Sequence, residues 1–271
     1  MPSTERRTIA ITGSASGIGA SLRRSMELNG DKVIGIDLKD ADVIADLSTA
    51  YGRESAISET LDRANGILDG LVTCAGVGPP FDPKEMISIN WLGTVQLING
   101  LHVALASSKF TSKVVAVSSN STTITPNVPE DLVAACLEFD EERSHRILKN
   151  YSGMVSMAIA YAASKTAVAH FVRQAAPSDK WAGSGIRLNA IAPGAVLTPL
   201  LQGGLDDEEF GDAIRTLPVP VGEFGSPEVV AMWIEMMLSD AADFLCGSVI
   251  VVDGGSDALI RPDDWPKSFT V

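Results

Sequence analysis

Short apolar runs alternate along this chain with longer stretches of helix-like pattern. Six of the runs read as buried strands: RTIAIT (7–12), DKVIGID (31–37), GLVTCAG (70–76), SKVVAVSS (112–119), GIRLNAIAP (185–193) and GSVIVVDGG (247–255). They are rich in Val and Ile and bounded by Gly, Pro, Asp or Ser, which is the pattern of a strand closed by turns. Strands separated by helices imply βαβ units and a parallel sheet covered on both faces. The pattern predicts an α/β, doubly wound Rossmann-type fold in a single domain spanning 1–271.

Two segments exceed the minimal βαβ alternation. Residues 121–156 lie between the fourth strand and the helix that follows it, and read as a helical insertion. PEDLVAACLEF and DEERSHRILKNY form two short helices, with Pro129 and Asp140 as their starting signals. Residues 198–227 mix apolar anchors with Gly and Pro, as a mobile lid does.

Composition narrows the class. The chain has 271 residues, 45% of them hydrophobic, enough for one large domain. No run approaches the roughly 18 apolar residues of a membrane span. The opening residues run almost directly into a strand, without the hydrophobic region of a signal peptide. Cys74, Cys136 and Cys246 are far apart and show no CxxC spacing, and His102, His145 and His170 fall in no ligand pattern. The expectation is reduced packing cysteines, a cytoplasmic protein and no metal. A net charge of −13 argues against a nucleic-acid partner.

The first candidate site is ITGSASGIGASLRRSM, which joins the first strand to the first helix. Gly13, Gly17 and Gly19 permit backbone angles and approaches that a Cβ forbids, letting a pyrophosphate reach the helix N-terminus. Asp37, about 20 residues on, ends the second strand, where a carboxylate accepts hydrogen bonds from an adenosine ribose. It also repels a 2′-phosphate, so NAD is expected over NADP, although Lys39 stands nearby.

The second is the pair Tyr161 and Lys165, one helical turn apart and on one face. Oxidation of an alcohol without metal needs a base for the hydroxyl proton. A tyrosine of pKa near 10 serves poorly unless nearby positive charge favours the phenolate; Lys165 supplies it, and an oxidised nicotinamide would add to the effect. Tyr151 has Val155 at the corresponding position, and Tyr51 has no such partner. A second hydroxyl should hold the substrate oxygen. Ser118 and Ser119 end the strand before this helix, and Ser121 follows them closely.

In this order, the glycine turn, strand-end acid, serine and tyrosine–lysine pair resemble the short-chain dehydrogenase/reductase family over about residues 8–255. The resemblance implies that Ser119 is the catalytic serine, with Tyr161 and Lys165, and that Lys165 also binds the nicotinamide ribose. It implies that Asn90, in SINWLGT, bends its helix and holds a water linked to the lysine. It places Gly13, Ser16, Gly17, Ile18, Gly19, Asp37 and Leu38 on the adenosine and pyrophosphate, and Asp46 and Leu47 on the adenine. Cys74, Ala75 and Gly76 match a strand-end N-N-A-G motif, with Cys74 a departure at a polar position. Pro193, Gly194, Val196 and Thr198 match the segment that holds the nicotinamide carboxamide, beside Tyr161 and Lys165. The family interval from serine to tyrosine is around a dozen residues; here it is about forty, and the inserted helices account for the difference.

Longer matches (ADLSTAYGR, DGLVTCAGVGP, LNAIAPGAVLTPLLQGGL and DGGSDALIRP) resemble the bacterial 3α-hydroxysteroid dehydrogenase/carbonyl reductase subgroup. The expected activity is NAD(H)-dependent interconversion of a secondary alcohol and a ketone. Other classes open to this scaffold are an NAD-binding redox sensor without turnover, and an epimerase or dehydratase. Both excess segments are expected to border the substrate pocket, with Met154, Met157, Val196, Leu200 and Leu201 favouring a hydrophobic ligand such as a steroid or terpenoid. Family members form dimers or tetramers through the helices after Asn90 and around Tyr161. The insertion would obstruct that contact, so a homodimer is expected, with a homotetramer as the alternative. The tail RPDDWPKSFTV carries no helix or strand pattern; packing on a neighbouring subunit and packing over the active site both stay open.

Overall fold

A computed structural model describes residues 6–264 of the chain. Most of the C-terminal tail, and the expectation attached to it, lies outside the described residues.

Among the described residues, seven strands form one sheet: β1 (Thr8–Thr12), β2 (Lys32–Asp37), β3 (Val43–Ile44), β4 (Gly70–Thr73), β5 (Ser112–Val117), β6 (Ile186–Pro193) and β7 (Val249–Val252). Their order is β3-β2-β1-β4-β5-β6-β7, and every adjacent pair is parallel. The expected doubly wound Rossmann-type architecture is present. Successive strands run outward from β1 in one direction, and the chain then returns to build β4 on its other side. Connections leave β1 and β4 toward opposite faces, so a crevice opens beyond their C-terminal ends.

The six expected strands all form. A seventh, β3, was not foreseen: it has two residues, pairing Ile36 with Val43 and Asp37 with Ile44, too few for any periodicity. The strands also end earlier than the apolar runs do. In β4 the ladder stops at Thr73, because Gly13 turns β1 away at φ +68° and the Thr12 hydroxyl accepts the Ala75 N–H at 2.9 Å instead.

Alternation along the strands divides the core between the two faces. Ile9, Ile11, Val72, Val115 and Ile191 pack under the helices Gly17–Leu28 and Pro227–Leu238. Ala10, Ile34, Ile36, Leu71, Val114 and Leu188 face the other layer, which includes the long helix Gly153–Ala175. That helix is the one described segment long and apolar enough to cross a membrane, yet 61% of its apolar window is buried in the fold.

The insertion contains the two expected helices, Glu130–Leu137 and Glu141–Leu148, and a further short one, Ser121–Ile124. Asp140 caps the second by accepting the Arg143 N–H at 2.8 Å, as its residue type requires. The pair packs onto the layer holding Asn90 and Tyr161. Leu132, Val133, Cys136 and Leu148 join its core, and Trp91 packs on Phe139 at a tilt of 45°, with ring centroids 5.4 Å apart. The lid-like segment carries helices Pro199–Asp206 and Gly211–Arg215. It is moored at its far end, where Ser256 donates to the Pro218 carbonyl at 2.6 Å.

Candidate active site

A cleft of about 400 Å³ lies at the C-terminal ends of β1, β2, β4, β5 and β6. All of the residues expected to hold the dinucleotide line it: Gly13, Ser16, Gly17, Ile18 and Gly19 from the first turn; Asp37, Leu38, Asp46 and Leu47; Cys74, Ala75 and Gly76; and Pro193, Gly194, Val196 and Thr198. Ser119, Tyr161 and Lys165 line it as well.

The glycines are dictated by local packing. A Cβ on Gly13 would stand 2.7 Å from the Ala75 nitrogen, and one on Gly19 would collide with the Gly13 carbonyl oxygen. The turn therefore lies tight on β4 and delivers the N-terminus of helix Gly17–Leu28 to the cleft. The cap residue Ser16 makes no side-chain bond to it, so its first N–H groups face the cleft without a side-chain acceptor. Asp37 accepts the Ala15 N–H at 2.9 Å and the Leu38 N–H at 2.7 Å, holding its carboxylate at the cleft edge. Helix N-terminus, carboxylate and glycine cradle fit a dinucleotide with a free 2′-hydroxyl.

At the other end, Tyr161 and Ser119 face the same cleft, and the Ser119 hydroxyl is near enough to act on the phenol. Burial raises the tyrosine's pKa, and the Ser119 hydroxyl offsets only part of that rise. The Lys165 ammonium stands 6.0 Å from the Tyr161 ring centroid. Lys165 itself is buried, and desolvation lowers its pKa to about 8. It donates to the Val117 carbonyl at 3.0 Å. Burial pushes the Cys74 thiol up to about 12, so it stays neutral beside the lysine.

The structure separates the three candidate serines. Ser118 donates to the Lys165 carbonyl at 2.9 Å and is thereby committed to the helix. Ser121 presents its N–H to the Ser119 hydroxyl oxygen, and of the three hydroxyls it is Ser119 that acts on the Tyr161 phenol. The competing tyrosines are elsewhere: Tyr51 is 81% exposed, and Tyr151 packs against the core.

Asn90 does not line the cleft; it lies fully buried behind it, in a π-helical turn Ile87–Gly93. Its carboxamide accepts the Val77 N–H and donates to the Val77 carbonyl, both at 2.8 Å, and also donates to Ser164 at 3.2 Å. It thus ties the end of β4 to the Tyr161 helix.

The substrate end corrects two expectations. Val196, Leu200 and Leu201 line it, but Met154 is an exposed residue outside the cleft and Met157 packs into the core. The lid borders the pocket and the insertion does not, because the insertion packs outward on the helical layer. Val77, Pro79, Phe210 and Ile214 complete the apolar wall and were not foreseen. Phe210 and Ile214 are four apart, a helical spacing legible in the lid segment. Among the described residues, no group of His, Cys, Asp and Glu could hold a metal ion.

Comparison with known proteins agrees with this geometry. A family model described as "Enoyl-(Acyl carrier protein) reductase" matches residues 142–257. The chain is 40% identical to a 3-alpha-hydroxysteroid dehydrogenase/carbonyl reductase of Comamonas testosteroni, over 95% of this chain and 99% of that one. It is 32% identical to a cis-4-hydroxycyclohexanecarboxylate dehydrogenase of Sinomonas cyclohexanicum, over 93% and 97% of the two chains. The chain belongs to the short-chain dehydrogenase/reductase family. Within that family it is similar in structure to the 3-alpha-hydroxysteroid dehydrogenase of Pseudomonas sp. B-0831 complexed with NADH. The TM-score is 0.89 at 43% identity, covering 94% of this chain and 99% of that one.

Proposed function

We propose that this protein is an NAD(H)-dependent oxidoreductase that interconverts a secondary alcohol and a ketone on an apolar cyclic substrate, with 3α-hydroxysteroids the leading class. The observation that carries the reading is that Ser119, Tyr161 and Lys165 meet in one cleft, between a dinucleotide cradle and an apolar pocket wall. The related enzymes act on hydroxysteroids and on a hydroxycyclohexane acid by name, which supports a cyclic alcohol.

Gly13 to Gly19, Asp37, Asp46 and Thr198 would hold the cofactor, which accepts or supplies hydride at its nicotinamide. Tyr161 takes the proton from the substrate hydroxyl in oxidation and returns it in reduction. Ser119 donates to the same oxygen and holds its developing charge. Lys165, anchored by Val117, keeps an ammonium beside the phenol. Asn90 keeps β4 and the Tyr161 helix in register. The apolar lid wall excludes water and orients the ring system.

The test follows NADH absorbance with NAD and NADP against hydroxysteroids, terpenoid alcohols and simple secondary alcohols. Turnover with NAD on a bulky cyclic class, lost in Tyr161→Phe, is the expected result. Tight NAD binding with no turnover on any alcohol or ketone would move the reading to a sensor.

The same reading includes a single catalytic domain, a cytoplasmic location supported by three free cysteines, and a homodimer. The inserted helices cover the layer that pairs in dimers built through the Tyr161 helix. Val229, Met232 and Trp233 leave an apolar face exposed on helix Pro227–Leu238. Light scattering giving a dimer that Trp233→Glu dissociates is the expected outcome; a tetramer buried through the Asn90 and Tyr161 helices would refute it.

A further inference from the structure

The insertion does not touch the substrate pocket, and its placement raises the question of what it supports. Arg53 answers part of it. The residue is 4% exposed, on helix Ala50–Arg63, with no role in the chemistry above. Its guanidinium donates to the carbonyls of Leu47 and Ser48, each at 3.0 Å, and to the Gln96 side chain at 2.7 Å. Leu47 lines the cleft beside Asp46, and Gln96 lies on the helix Thr94–Gly100, which continues from the Asn90 turn. Burial disfavours the charged guanidinium, while Glu141, Asp46 and Glu54 favour it. Glu141 belongs to the inserted helix Glu141–Leu148 and accepts a hydrogen bond from Ser88, inside the π-helical turn.

We propose that Arg53 is a positioning residue for dinucleotide binding: it clamps the Asp46–Ser48 loop in the shape that receives the adenine, and Glu141 of the insertion, through Ser88, braces the turn that leads to its Gln96 partner. The proposal rests on the reading of this cleft as an NAD site. A backbone carbonyl held by a buried, charge-assisted donor is well fixed, and two successive carbonyls fixed by one guanidinium define the loop's path. The insertion then acts on the cofactor end of the cleft, through Ser88 and the Gln96 helix, and not on the substrate end.

The test measures Kd for NAD and for 5′-AMP by calorimetry, and KM and kcat with saturating alcohol, in wild type, Arg53→Lys, Arg53→Met and Glu141→Gln. Removing the clamp leaves two loop carbonyls without their donor, so Arg53→Met is expected to weaken NAD and AMP alike by about tenfold or more. kcat at saturating NAD should stay within about twofold, because the catalytic groups sit at the far end. Arg53→Lys should recover part of the affinity, and Glu141→Gln should weaken it by a few-fold with the fold intact by circular dichroism. Wild type failing to bind NAD would remove the reading of the site itself. Wild type binding NAD, with Arg53→Lys and Glu141→Gln folded and equal to it in both affinities, would overturn the clamp alone. A fall in melting temperature without any change in KM for NAD would do the same, since it marks a role in stability only.

Discussion

The Lys165 ammonium donates to the carbonyl oxygen of Val117 at 3.0 Å, joining the middle of a long helix to the last residue of β5. Ser118, next in the chain, donates back to the Lys165 carbonyl at 2.9 Å. This reciprocal pair sets the height of the helix against the strand. It brings Tyr161, one turn before the lysine, level with Ser119. A change of register by one residue on either side would separate the two hydroxyls.

Loss of the Tyr161 hydroxyl removes the proton donor and acceptor but little of the packing. Tyr161→Phe should lower kcat about 10²–10⁴-fold, or about 3–5 kcal/mol of transition-state stabilisation, with NAD affinity nearly unchanged. Because burial raises this tyrosine's pKa, alcohol oxidation should increase with pH through the alkaline range, and ketone reduction should decrease. Initial rates in both directions across pH 6–10 check the sign.

Lys165 links stability to pH. Its folded pKa of about 8 lies below the ordinary value of 10.5, so above pH 8 the unfolded chain binds more protons at this site than the folded one. Its destabilising contribution is therefore fully present below pH 8 and is relieved as pH rises. Between pH 8 and 9, wild type should gain roughly 1 kcal/mol relative to Lys165→Met. Urea unfolding of both proteins at the two pH values measures the difference; an equal stability gap at both would disprove it.

Asp37 should set cofactor choice. A carboxylate within about 4 Å of a 2′-phosphate costs up to several kcal/mol at surface-like dielectric. Asp37→Ser should shift the ratio of kcat/KM for NADP over NAD upward by about a hundredfold. NAD turnover should also fall, since the carboxylate holds the Ala15 and Leu38 N–H groups. Parallel kinetics with the two cofactors read the ratio.

The lid wall should discriminate substrates where the insertion does not. Phe210→Ala removes an aromatic face from the pocket and should raise KM for a steroid-sized substrate about tenfold, within the 1–3 kcal/mol expected of an apolar contact. Met154→Ala, outside the cleft, should leave KM within about twofold. Equal effects of the two substitutions would place the substrate elsewhere.

Much of the site was legible because its residue types are forced by chemistry close to the chain. Gly13 and Gly19 are glycines because a Cβ at either would strike neighbouring backbone, and a strand-end acid or a tyrosine one turn before a lysine is a local pattern. The choice among Ser118, Ser119 and Ser121 was not legible from spacing alone. It depends on which hydroxyl the Tyr161 helix leaves uncommitted, a relation across about forty residues. Met154 and Met157 misled for a similar reason: an apolar position reports that something covers it, and not whether that cover is a ligand, the core or solvent.

The sequence by itself determined the strands, the glycine turn, the carboxylate at the end of β2 and the tyrosine–lysine pair, since each follows from steric or electrostatic demands between near neighbours. Only the tertiary structure decided that the insertion packs outward on the helical layer while the lid walls the pocket. Only there does Arg53 reach the adenine loop, and only there does burial raise the pKa of Tyr161. Those outcomes depend on distances and desolvation between segments far apart in the chain, and no local pattern encodes either.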